Sequence, residues 1–120
     1  MTQAQAGKIY QALERLTGER LPAREAWALS KLRRALRPAW EFQGEREQAM
    51  LRELRVASIQ GSTVSFETPE DALRWREAMD DLAEMETGIR IEPIHVTLAE
   101  GLTLSADDID ALEGAVIFEE

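Results

Sequence analysis

Leu54-Arg55-Val56-Ala57-Ser58-Ile59-Gln60-Gly61-Ser62-Thr63-Val64-Ser65-Phe66-Glu67 is where the chain changes its period. Before this stretch apolar residues recur every three or four positions. From Val56 they alternate with polar ones, the spacing of a strand with one covered face. Two alternating runs separated only by Gly61-Ser62 predict a two-residue hairpin, because glycine at the first loop position supplies the positive φ of a type II′ turn. Pairing Gln60 with Thr63 sets Ile59 opposite Val64 and Ala57 opposite Phe66. That register gathers four apolar side chains on one face and leaves Ser58, Gln60, Thr63, Ser65 and Glu67 on the other. A hairpin placed between helical stretches makes the fold class α+β.

Working back from the hairpin, Ala6, Ile9, Tyr10, Leu13 and Leu16 fall on one side of a helix from Gln3 to Leu16. Gly18 is expected to stop that helix, and Leu21-Pro22 to open the next one with proline in its first turn. So short a connection makes the two helices antiparallel, and residues 3–54 read as a helical hairpin whose second arm is long. In that arm Ala26, Leu29, Leu32, Leu36, Ala39 and Trp40 form one apolar stripe, and Met50, Leu51 and Leu54 a later one. Pro38 removes a hydrogen bond to the carbonyl of Arg34 and predicts a kink or local break. Gln43 to Glu47 is polar all round, which predicts a stretch that projects past the first helix or is covered by another chain. Trp27, Trp40 and Phe42 cannot all reach one seam, so at least one aromatic is left outside.

Working forward, Thr68-Pro69-Glu70-Asp71 opens a helix with a capping hydroxyl, a first-turn proline and two acids at the positive end of the helix dipole. Its stripe is Ala72, Trp75, Ala78, Met79, Leu82 and Met85, with Gly88 as its stop. This stripe is the expected cover for the hairpin face. Ile89 to Glu92 alternates like a strand, Pro93 interrupts, and Ile94 to Leu98 resumes the alternation. Ser105 caps a short helix to about Leu112, and Ala115 to Phe118 ends as a strand or an apolar tail. The expectation is one domain over 1–120: the helical hairpin at 3–54, and at 55–120 a small, mainly antiparallel sheet packed with one amphipathic helix and a short C-terminal helix. So small a sheet is marginal alone, which favours oligomerisation.

The chain has 120 residues, 44% hydrophobic and 31% charged, with no cysteine, one histidine and a net charge of -9. Without cysteine there are no disulfides, thiolate metal sites or cysteine nucleophile, and a lone His95 cannot supply a two-imidazole site. The opening MTQAQAGKIY has no apolar signal core and no run of about 18 apolar residues occurs, so a cytoplasmic protein without a membrane span is expected. The charge is unevenly placed. Residues 1–60 carry 11 basic and 7 acidic side chains, a net of +4, while residues 61–120 carry 3 basic and 16 acidic, a net of -13. Each half calls for a different neighbour.

No frame for chemistry emerges. His95 lies mid-strand without a serine or carboxylate at a catalytic spacing and reads as a strand residue on the polar side. Asp107, Asp108, Asp110 and Glu113 lack the glycine and glutamate positions of a calcium loop and read as acids at a helix start. The isolated glycines form no phosphate loop, so no cofactor, metal or small-molecule substrate is expected. What remains is charge. Glu77, Asp80, Asp81 and Glu84 sit at i, i+3, i+4 and i+7 and make a negative ridge that invites a basic partner. Arg33, Arg34 and Arg37, with Arg24 and Lys31 nearby, make a basic helical patch to which Trp27, Trp40 and Phe42 add aromatic surface. The patch raises nucleic acid as a ligand. An acidic chain with Glu25 and Glu41 bracketing the patch favours a protein instead.

The order of parts, with Leu21-Pro22 opening a long helix and IEPIHVTLAEGLTLSADDIDALEG running from Ile91 to Gly114, resembles small proteins encoded in bacteriophages and prophages. In these a long-helix N-terminal half precedes an I-x-P-I/V-x-L segment and a closing L-S-x-x-D/E-I/L-x-x-L helix. The resemblance implies a phage or prophage context, a bacterial host cytoplasm and a non-enzymatic accessory role, and it brings no catalytic residues with it. Three functions are expected in descending order. The first is a protein that self-assembles or docks on a protein partner. The second is an acidic nucleic-acid mimic that inhibits a host enzyme, and the third is nucleic-acid binding through Lys31 to Arg37.

Overall fold

Thr2 opens the first helix with a reciprocal cap. Its hydroxyl accepts from the Gln5 N–H at 3.2 Å while the Gln5 side-chain oxygen accepts from the Thr2 N–H at 2.8 Å, satisfying two donors that the helix start leaves open. The computed structural model describes residues 1–17, 20–98 and 102–119, so the helix stop expected at Gly18 lies outside the described residues. The elements are α1 (Gln3–Thr17), α2 (Ala23–Glu53), β1 (Val56–Gln60), β2 (Thr63–Phe66), α3 (Pro69–Glu84), β3 (Ile94–Thr97), α4 (Ala106–Leu112) and β4 (Val116–Glu119). This is an α+β fold with a long second helix, as expected.

α1 and α2 pack along the predicted stripes. Leu13, Leu16, Leu29 and Leu36 are completely buried, each removing enough apolar surface from water to contribute roughly 1.5–3 kcal/mol. Tyr10 stacks on Trp40 with ring centroids 5.3 Å apart. At Gly7 the helices approach closely, since an added Cβ would sit 3.3 Å from Gln43 Oε1 and 3.7 Å from the Trp40 ring. Ala26, placed in the stripe by its spacing, is exposed instead. α2 is not broken at Pro38; one helix runs from Ala23 to Glu53 with the proline on its exposed side. The flanking core residues Leu36 and Ala39 hold both halves against α1, and this packing outweighs one missing hydrogen bond. Of the polar stretch after it, Gln43 and Glu47 are half-buried and hydrogen-bonded to each other at 3.2 Å, while Gly44, Glu45 and Arg46 face solvent.

The single small sheet of the expectation is two separate two-stranded sheets: β1 pairs β2 antiparallel, and β3 pairs β4 parallel. Gly61 has φ +62° and Ser62 does not have a positive φ, the pattern of a II′ and not a I′ turn. The register is Gln60 with Thr63, Ile59 with Val64 and Ser58 with Ser65, as predicted near the turn. Beyond it the ladder shifts, and Phe66 faces Val56, not Ala57. A bulge at Ala57 therefore gives the place beside Phe66 to the larger Val56 and leaves the alanine exposed.

The second sheet is a β–α–β crossover in which α4 connects the parallel strands β3 and β4 and packs on α1. The core is drawn from α1, α2, β3, α4 and β4, with Val96, Leu112 and Ala115 wholly buried. The sheet that seals the helical pair is thus the C-terminal one. β1, β2 and α3 contribute little to that core: Leu82 is the one buried residue of α3, and no residue of β1 or β2 is buried. Ile89 to Glu92 forms no strand among the described residues. Its alternation is real, with Ile89 and Ile91 turned to the core and Arg90 and Glu92 to solvent, but no ladder partner lies beside it.

α3 begins as predicted. Thr68 caps it by accepting from the Asp71 N–H at 3.2 Å, with Pro69 in the first turn. It ends at Glu84, short of Gly88, because the next residues pair with the start of the chain. Gln3 N–H donates to the Met85 carbonyl at 2.8 Å, Thr87 N–H to the Met1 carbonyl at 2.9 Å, and Thr2 bridges Glu86.

Candidate protein-interaction surfaces

The fold presents three candidate surfaces: the outer face of α2, the outer face of α3, and the cleft between α2, α3 and the β1–β2 hairpin. On α2, helical spacing separates the predicted partner residues into two groups. Trp27 (62% exposed) and Phe42 face out, together with Arg24, Lys31, Arg34 and Arg37. The Lys31 ammonium lies 5.3 Å from the centre of the Trp27 ring, a cation–π arrangement on an exposed face. Trp40 and Arg33 belong elsewhere. Trp40 is stacked on Tyr10, and Arg33 reaches back to the Thr17 hydroxyl at 3.2 Å with its Nε buried and without a hydrogen-bond partner. The expected patch is therefore smaller than its sequence: Arg33 and Trp40 serve the α1–α2 contact. Glu25, which brackets the arginines in sequence, accepts from the Thr97 N–H at 3.0 Å and ties α2 to the edge of β3.

On α3 the ridge is as the spacing requires. Glu77, Asp80, Asp81 and Glu84 are all exposed, opposite the side carrying Trp75, Met79 and Leu82. Leu73, 53% exposed, stands on the same outer side. The ion pairs among the described residues are the Met1 α-amino group with Glu86, Arg15 with Asp108, His95 with Glu119, and a 4.0 Å contact between Arg74 and Asp71. None of them uses Arg24, Lys31, Arg34 or Arg37, and none uses the four acids of the ridge. Among the described residues, neither charged face has an ion-pair partner.

The acids near the C-terminus divide differently from the expectation. Asp108 is buried, not solvated; its Oδ1 accepts from Nε of Arg15 at 2.7 Å and from Nη2 of the same guanidinium, and its backbone N–H donates to the Ser105 hydroxyl at 3.0 Å. The hydrogen bonds from Arg15 hold its carboxyl below the ordinary value, and the pairing raises Arg15 in turn. The α-amino group of Met1 likewise lowers Glu86. Asp107 and Asp110 remain exposed beside Lys8 and Arg15 of α1. His95 sits on the open face of β3 with Nδ1 against the Glu119 carboxylate, a strand residue on the polar side as read. No group of three metal-ligating side chains occurs among the described residues. No helix among them is long and apolar enough to cross a membrane.

The cleft was not anticipated. About 600 Å³ in volume, it is lined by Gly7, Lys8 and Gln11 of α1, Trp40, Glu47 and Leu51 of α2, Ile59 and Val64 of the hairpin, and Trp75, Met79 and Leu82 of α3. The hairpin face expected to bury against α3 does so only in part. Phe66 meets Trp75 at 5.7 Å between ring centroids, whereas Ile59 stays 57% exposed at the mouth. The signal in the sequence was the excess of apolar residues over what one helical seam could cover. Comparison of the chain with protein-family models, curated proteins and solved structures finds no significant match.

Proposed function

We propose that this chain is a non-enzymatic accessory protein that works by binding protein, assembling with further copies of itself or docking on a partner through the outer faces of α2 and α3. The observation that carries this reading is the absence of internal compensation. Arg24, Lys31, Arg34 and Arg37 on one helix, and Glu77, Asp80, Asp81 and Glu84 on another, are exposed without an ion-pair partner among the described residues. Trp27 and Phe42 add exposed aromatic area to the basic face, and such residues anchor interfaces when covered. Charge complementarity between two copies steers such an encounter and makes it sensitive to salt. The phage or prophage setting implied by the resemblance, with a bacterial cytoplasm, is part of the same proposal.

Two alternatives have less support. A nucleic-acid mimic needs one continuous acidic face, but Lys8 and Arg15 of α1 line the groove beside Asp107 and Asp110, and Asp108 is withdrawn into its pair with Arg15. Nucleic-acid binding by the basic patch loses Arg33 to Thr17. The test is a charge reversal. Lys31→Glu with Arg34→Glu should abolish the salt-sensitive association of the chain, or retention of its partner from a host lysate, and Asp80→Lys with Asp81→Lys in the other copy should restore salt-sensitive association between the two variants. Association unchanged by both reversals would overturn the proposal.

A further inference from the structure

We propose that β4 is a homodimerisation edge, on which the β4 strand of a second copy adds antiparallel around a two-fold axis at Ile117. This sharpens the self-association half of the preceding proposal by naming a second surface and its occupant. The ladder between β3 and β4 uses the odd residues of β4, for Ile94 N–H donates to the Ala115 carbonyl at 2.9 Å and Leu98 N–H to the Glu119 carbonyl at 2.6 Å. The N–H and C=O groups of Val116 and Phe118 therefore point away from β3, and β4 has no second strand neighbour among the described residues. The other edge of the sheet is different, being closed at Thr97 by the Glu25 carboxylate. A two-stranded parallel sheet with one open edge is an incomplete structure, because parallel strands are normally found inside larger sheets and an open edge is a template for another strand.

The strand is self-complementary in one register. Among the described residues of β4, Val116 and Phe118 offer outward backbone groups, and a two-fold pairing that matches Val116 with Phe118 of the second copy and the reverse closes four hydrogen bonds. Ile117, 43% exposed on the open face, then lies directly across from its own counterpart in the close, non-hydrogen-bonded position. Charge selects this register as well. It keeps the two Glu119 side chains about 14 Å apart, at about 3.4 Å per residue along the strand and about 4.8 Å between strands, beyond the screening length of about 8 Å at physiological salt. Sliding so that Phe118 faces its own copy would bring the two Glu119 side chains to about 8 Å by the same spacings, within reach of one another at that ionic strength, and uncouple the isoleucines.

The experiment is molar mass by light scattering on the full chain at high salt, where contacts between the charged faces of α2 and α3 are screened, combined with amide exchange followed by NMR over a dilution series. The expected mass is twice that of the 13.5 kDa chain, with the Val116 and Phe118 amides protected at high concentration and exposed on dilution. Ile117→Lys, which places two cations across the axis without touching the core, should give the monomer mass with an unchanged circular dichroism spectrum. A monomer at high salt, or a dimer in which the Val116 and Phe118 amides exchange freely, would overturn the proposal. Either result leaves the charge-reversal test above unaffected, so the two readings fail separately.

Discussion

Asp108 shows what a single residue can hide. In sequence it is one of four acids near a helix start, and everything local about it, from the Ser105 cap to the helix dipole, suggests a solvated side chain. Its partner, Arg15, lies on α1 at the other end of the chain, and no local pattern encodes that meeting. The pair has a pH signature. Because Arg15 holds the Asp108 carboxyl below its ordinary value of 3.8, the pair stabilises the fold above that pH, and the contribution is lost as pH falls through the depressed value. Asp108→Asn should lower the thermal midpoint at neutral pH and flatten the acid limb of stability, leaving the slope that belongs to Glu86 and the Met1 α-amino group. An acid limb as steep in the variant as in the parent would contradict this. Other residues were legible. Thr68, Pro69 and Asp71 read correctly as a helix start, and Thr68→Ala should cost about 1 kcal/mol in chemical denaturation. The Thr2-to-Gln5 box, a threonine followed three positions later by glutamine, is a local pattern that the reading of the helix from Gln3 passed over.

Elements were legible where one face decides them. The α1–α2 pair, the Gly61-Ser62 turn, α3 and α4 all follow from period and caps. The bulge at Ala57 does not, because it answers to the fit of Val56 against Phe66 across the ladder. Nor does the parallel pairing of β3 with β4, which depends on α4 crossing over and packing on α1. The alternation of Ile89 to Glu92 misled for the opposite reason. Inward-facing isoleucines make an extended segment look like a strand, but a strand also needs a neighbour. Pro38 remains inside an unbroken helix because tertiary packing holds both sides of it. Replacing this exposed proline by alanine restores the missing N–H, and Pro38→Ala should stabilise the protein by about 1–3 kcal/mol in denaturant. Leu13→Ala, at the completely buried centre of the α1 stripe, should cost about 2–5 kcal/mol by the same measurement.

At the scale of the whole molecule, the net charge of -9 averages a +4 half and a -13 half. Folding does not cancel the difference. The chain extends 52 × 29 × 19 Å, with Arg24, Lys31, Arg34 and Arg37 of α2 and the acid ridge of α3 without ion-pair partners among the described residues. The acid ridge was fully legible, since a helix with one apolar side must present its acids on the other. The basic patch was legible only in part, because the length of Arg33 lets it turn back to α1, a choice made by space and not by spacing. The cleft beside Trp75 and Ile59 was not legible at all; it exists because the hairpin leans on α3 only through Phe66 and leaves the rest of its apolar face open.

The most direct test of the account is the molar mass of the 120-residue chain by static light scattering at low and at high salt. Charge-complementary association between α2 and α3 faces predicts a mass that is larger at low salt and falls as salt is added, to the dimer held by β4. A mass that is the same at both ionic strengths would contradict the claim that these two faces are binding surfaces for one another.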